Sequence, residues 1–156
     1  MISIDCNLST AFSQLDGIQE RVSEALRPAV YRAARMVYLE AQNRAPVSEQ
    51  GHWFYSRRKK DGTAGKKYWF ASGSLKKSIY IKHADDKSVQ GLRETYVIAW
   101  RKNSSALGYV PYAHMVEYGT ARTAPAPFVR PAYDAKKKQA EQLIIDVIQR
   151  AVAQND

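Results

Sequence analysis

Pro125, Pro127 and Pro131 follow Gly119 in the stretch HMVEYGTARTAPAPFVRPAY, residues 114–133. No helix or sheet ladder runs through such a stretch, because proline has no amide donor and excludes helical geometry from the residue before it. Gly119 is placed to end the preceding segment by taking a positive φ. Pro131 is tolerated in the first turn of a helix, where a missing amide costs nothing. The stretch therefore reads as a stiff extended joint that carries Phe128 to the core and opens a C-terminal helix. Ala132, Ala135, Ala140, Leu143, Ile144, Val147, Ile148 and Ala151 form that helix's apolar stripe.

A second long helix precedes it. Ile18, Val22, Leu26, Ala29, Ala33, Val37 and Ala41 recur at spacings of three and four, and the pattern runs to about Arg44, where Ala45-Pro46 ends it. Pro28 is expected to kink this helix or begin a new segment. Ser9 or Thr10 is expected to cap a separate brief turn through Leu15. Before that, Ile2, Ile4 and Cys6 alternate with polar residues as in a short strand.

Between the helices, WFYSRRKKDGTAGKKYWF, residues 53–70, places a basic run and a glycine-bounded turn between two aromatic triplets. This near-palindrome predicts a hairpin arm over 52–70, with aromatics paired across its base. Leu75, Ile79 and Ile81 predict another strand, and Thr95 to Arg101 a more central one. The fold class is α+β: a small, mainly antiparallel sheet flanked by long N-terminal and C-terminal helices, with an inserted basic hairpin arm. At 156 residues, without repeats or an evident linker, the chain is expected to form one domain over 1–156.

The composition, 45% hydrophobic and 25% charged, is that of a globular protein, and no apolar run approaches the roughly 20 residues of a membrane span. Met1 to Leu8 lacks the apolar core of a signal peptide. Cys6 has no disulfide partner and reads as a small core side chain. Of the net charge of +9, the arm supplies +5: Arg57, Arg58, Lys59, Lys60, Lys66 and Lys67 against Asp61. Such an arm suits nucleic acid, with Trp53, Tyr55 and Trp69 available for stacking. It equally suits an acidic neighbour, or its aromatics serve only to hold the hairpin together.

His52, His83 and His114 fall in no metal-ligand pattern, the glycines form no phosphate loop, and Ser72 reads as a turn serine rather than a nucleophile. No catalytic, cofactor-binding or metal site is expected. His114 and Glu117 lie one helical turn apart, but a hydrolase or nuclease would need further partners; a surface or interface pair is the simpler reading. Glu117 is also a candidate partner for Arg122 or Arg130, in the same or a neighbouring subunit.

The segment AHMVEYGTARTAPAPFVRPAYDAKKK resembles the tail-completion, or head-tail joining, family of long-tailed bacteriophages of the "gene product ten" type, related in role to minor tail protein Z. Val116, Glu117, Tyr118, Gly119 and Thr120 match its first element, and Pro125, Pro127, Phe128, Arg130, Pro131 and Ala132 its second. Weaker likeness runs through Ala45-Pro46-Val47 and resumes at Gly73-Ser74-Leu75-Lys76-Lys77-Ser78-Ile79, with the basic arm as an insertion between them. The resemblance implies a structural virion protein at the neck, made in the bacterial host cytoplasm and forming a ring of six copies. Its expected partners are the tail terminator, tail tube and head connector proteins, with DNA in the lumen a further possible contact. The arm's role is not inherited. An exposed segment around Tyr112 and Tyr118 is expected to serve subunit contacts.

Overall fold

The computed structural model describes residues 9–56, 58, 60–102 and 108–153, with the backbone alone for 9–16. The elements in chain order are α1 (Ser9–Arg44), β1 (His52–Tyr55), β2 (Lys67–Phe70), α2 (Ser74–Ser78), β3 (Ile79–His83), β4 (Tyr96–Trp100), α3 (Ala113–Tyr118) and α4 (Val129–Ala153). The class is α+β, with two separate two-stranded ribbons, β1–β2 and β3–β4. The strand expected at Ile2–Cys6, and with it Cys6, lies outside the described residues.

The chain divides into two compact units. One comprises the chain up to Met36, Lys82–Val97 and the chain from Lys137; the other comprises Val37–Ile81 and Ile98–Lys136. The second unit carries the aromatic core: Phe70, Leu75, Ile79, Trp100, Val110 and Phe128 are buried, with Tyr38, Phe54, Tyr68 and Tyr112 packed against them. In the first unit the buried apolar residues are Ala29, Ala33, Ala84 and Ala151. Arg21 Nε donates to the Ala151 carbonyl there at 3.2 Å, and the rings of Tyr31 and Tyr96 lie 5.6 Å apart.

Helix α1 is continuous, which corrects the expected separate turn through Leu15 and shows that no second segment begins at Pro28. Proline removes one amide donor from a helix interior, but the long run of good helix formers on either side outweighs that loss. The predicted stripe is borne out: Ala29, Ala33, Val37 and Ala41 are buried. The helix stops at Arg44, ahead of Pro46 as expected.

The arm is a hairpin as expected, with aromatics paired across its base: His52 lies opposite Phe70, Trp53 opposite Trp69, Phe54 opposite Tyr68 and Tyr55 opposite Lys67. Two other expectations are corrected. Leu75 belongs to a short helix, α2, and not to the strand, because Leu75, Ser78 and Ile79 are buried together at helical spacing. Nor is β4 a central strand: among the described residues it pairs with β3 alone, and the pairing is extended past the strand ends by the Ala84 amide to the Thr95 carbonyl (2.8 Å) and the Arg101 amide to the Ser78 carbonyl (3.1 Å).

Candidate functional site at the joint between α3 and α4

Helix α3 ends at Tyr118 because Gly119 takes φ 75°. A Cβ at that position would lie 2.9 Å from the Pro125 nitrogen, so both the dihedral and the close approach of the returning chain require glycine. The loop folds back through the Thr120 amide to the Thr123 carbonyl (2.9 Å), and Thr120 Oγ1 accepts from the Arg122 amide at 3.2 Å. After Pro125, the Ala126 amide reaches the Val116 carbonyl at 2.8 Å. Pro127 then holds the chain extended until Phe128, which is fully buried with its ring 5.9 Å from that of Trp100.

At this point α4 begins, and its leading amides have no partners within the helix. Glu117 supplies them. One carboxylate oxygen accepts from the amides of Phe128 (2.7 Å) and Val129 (3.0 Å), and the other from the amide of Arg130 (3.1 Å). The Arg130 guanidinium completes the clamp: Nε donates to the carboxylate at 3.1 Å and Nη2 to the Glu117 backbone carbonyl at 2.9 Å. Pro131 follows in the first turn, as its missing amide permits.

The Glu117 side chain is only 1% exposed, whereas that of Arg130 is 58% exposed. Burial pushes the carboxyl's pKa upward, but the three backbone amides and Arg130 outweigh it and hold the group below the ordinary carboxylate range. Glu117 is therefore an ionised capping group placed where the helix dipole favours negative charge. With five donors around it, this glutamate is built to hold two helices together rather than to move a proton.

The joint brings together Glu117, Tyr118, Gly119, Thr120, Phe128, Arg130 and Pro131 from the predicted set. The guanidinium of Arg130 also lies 4.8 Å from the ring of Tyr118, which is exposed. His114 lies exposed on α3 while Glu117 is turned inward. Tyr112 departs from expectation: it is half-buried, with its ring 4.9 Å from His52 and 5.1 Å from Phe70, so only Tyr118 supplies exposed surface.

The arm forms a different constellation. Trp53, Tyr55, Lys67 and Trp69 share the outer face of β1–β2, while His52, Phe54, Tyr68 and Phe70 face the core. Arg58, Lys60 and Lys66 are exposed, and Arg57 and Lys59 lie outside the described residues. Segments that carried the weaker likeness meet one residue of the stronger motif: Pro46 and Val47, Gly73 to Leu75, and Val116 line one open groove of about 350 Å³.

One cluster escaped the sequence reading. In the first unit His83 Nδ1 lies 2.6 Å from Asp85 and Nε2 2.5 Å from Glu94. The carboxylates, Glu94 foremost, raise the pKa of His83, and Asp85 is lowered in return. The His-x-Asp spacing was visible, but Glu94 is brought in only by the turn between β3 and β4.

The family described as "Bacteriophage HK97-gp10, putative tail-component" matches residues 12–119. The chain belongs to this HK97-gp10-like family of phage tail components. The matched span takes in the arm, α2 and α3 and ends at Gly119, so Glu117 lies inside it and its capping partners at 128–130 lie just beyond. Comparisons with curated proteins and with solved structures return no match. Among the described residues, no helix is long and apolar enough to cross a membrane.

Proposed function

We propose that this phage tail component is the tail-completion protein of a long-tailed phage: a non-enzymatic virion protein whose copies form a six-membered ring at the head-proximal end of the tail. Its task is to make a finished tail competent to join a filled head. Further copies of itself, the tail terminator, the tail tube and the head connector are its partners, and the neck of the virion is its place.

The family match across 12–119 carries this reading. The surface chemistry agrees with it. Tyr118 stacked on Arg130, with Tyr133 on the next turn of α4, presents the residue types that carry binding energy at protein interfaces. In the first unit Leu92, Ile145 and Val152 are exposed apolar side chains available to neighbouring subunits. A joint fixed by Glu117 suits a part that must hold one shape in every copy of a ring.

The test is electron microscopy of particles from a phage or induced prophage lacking this gene, with the protein restored in a parallel sample. Filled heads beside separate tails, rescued by the added protein, are expected. Intact infectious virions without the protein would overturn the proposal.

A further inference from the structure

Among the described residues, the arm's cations have no acidic partner. Asp61 is the one acid of residues 52–70, and its carboxylate is taken by the turn, accepting from the Thr63 amide at 2.9 Å and from the Thr63 hydroxyl. Those bonds, the hydroxyl's first, hold Asp61 below the ordinary carboxylate range. Among the described residues, Arg58, Lys60, Lys66 and Lys67 form no ion pair, and all four are exposed. Their repulsion is uncompensated unless an anionic partner arrives.

The arm is also pre-shaped. Beyond the last strand pair, the Ser56 amide reaches the Lys66 carbonyl at 2.9 Å and the Lys66 amide reaches Ser56 Oγ at 2.7 Å. Gly65 lets the strands close there, since a Cβ at that position would lie 1.8 Å from the Ser56 carbonyl oxygen. The ribbon thus stays paired until just before its basic turn.

The outer aromatics are engaged with one another. Trp53 meets Trp69 edge to face at 5.1 Å, and Lys67 Nζ sits over the Trp53 ring at 4.0 Å and 5.5 Å from the ring of Tyr55. Rings occupied in this way stiffen the ribbon instead of offering free faces to unpaired bases. The free chemistry is cationic, at the tip of a two-stranded ribbon, which is an element of the width that the major groove of duplex DNA admits.

We infer that the hairpin arm grips the phosphate backbone of duplex DNA, without sequence preference, through its basic residues, the exposed Arg58, Lys60 and Lys66 among them. A second copy of the chain is the poorer occupant. Outside the arm's +5 the remaining residues still sum to +4 of the chain's +9, so one copy's arm meets like charge on the next. This inference does not rest on the joining role, because it is read on purified protein.

The experiment is fluorescence anisotropy of a labelled random-sequence duplex titrated with the full chain between about 50 and 200 mM salt. The wild type is compared with a variant carrying Arg57→Gln, Arg58→Gln, Lys59→Gln and Lys60→Gln together. Binding that weakens steeply with salt is expected, with the fourfold variant at least tenfold weaker and its log–log salt slope shallower by about 3 to 4. Lys66→Gln, a single exposed change, is expected to reduce the slope by about 1, which keeps the test valid if the fourfold variant fails to fold. Equal affinity and slope in all three proteins would overturn the inference. So would tighter binding to a single-stranded oligonucleotide than to the duplex. Loss of self-association in the variants with duplex binding intact would overturn it in favour of a protein partner.

Discussion

In the unit built around Phe128, rings and branched chains fill the interior, and Glu117, the one buried charge among the described residues, is ringed by donors. In the unit formed by the earlier part of α1 and the later part of α4, every buried apolar residue among those described is alanine. Burying a large apolar side chain contributes about 1.5 to 3 kcal/mol, and a methyl group well under half of that. The alanine-lined unit therefore gains less from each fully buried side chain, and its larger apolar residues, Ile18, Val22, Leu26, Leu143, Ile144, Val147 and Ile148, are only partly buried. The difference teaches that one fold can assign its rigid shape to one part and its adaptable surface to another.

The harshest way to break the contrast is Phe128→Ala. Removing a fully buried ring should cost about 3 to 5 kcal/mol, measured by denaturant unfolding followed through Trp100 fluorescence in a variant lacking Trp53 and Trp69. A change within error would show that the joint does not anchor the aromatic core. Glu117→Ala comes next, at about 3 kcal/mol, because the amides of Phe128, Val129 and Arg130 lose their acceptor. Glu117→Gln keeps one acceptor oxygen and should recover part of that loss. Hydrogen exchange at these three amides would report it directly.

The smallest effect separates the units by pH. His83 has a raised pKa, so the stabilisation from its clamp is complete below the ordinary histidine value and is lost as pH rises through the raised one. Glu117 has a lowered pKa, so its contribution is present above the ordinary carboxylate value and disappears as pH falls through the depressed one. On the alkaline side, faster amide exchange is expected around Ser88 to Thr95 while 126–130 stays protected. On the acid side the pKa values of Asp85 and Glu117 are both lowered, so both regions should loosen as pH falls through them. Equal loosening of both on the alkaline side would abolish the distinction.

Much of this was legible in the chain. The α1 stripe, the hairpin with its paired aromatics, Gly119 as a helix stop and Phe128 as a core residue follow from the patterning of apolar residues and from the particular dihedrals of glycine and proline. Leu75 was misread because its apolar neighbours fit a strand as well as a turn of helix, an ambiguity that short runs do not resolve. Glu117 was recognisable as important, yet its partners were not. A carboxylate that caps through backbone amides leaves no complementary side chain in the sequence except Arg130, and Arg122 was an equal candidate. The His83 cluster was hidden for a related reason, since Glu94 reaches it only once β4 has paired with β3.

The cap on α4 comes from a residue synthesised before the helix it caps. As the chain leaves the ribosome, Glu117 emerges ahead of Phe128, so the acceptor precedes the donors that it must satisfy. The first turn of any helix is the costly one, because several residues are fixed for a single hydrogen bond. Here the contact closes over a short span of chain, and short-range contacts form early. The joint thus ties the place where α4 begins to a carboxylate that the chain itself has already supplied.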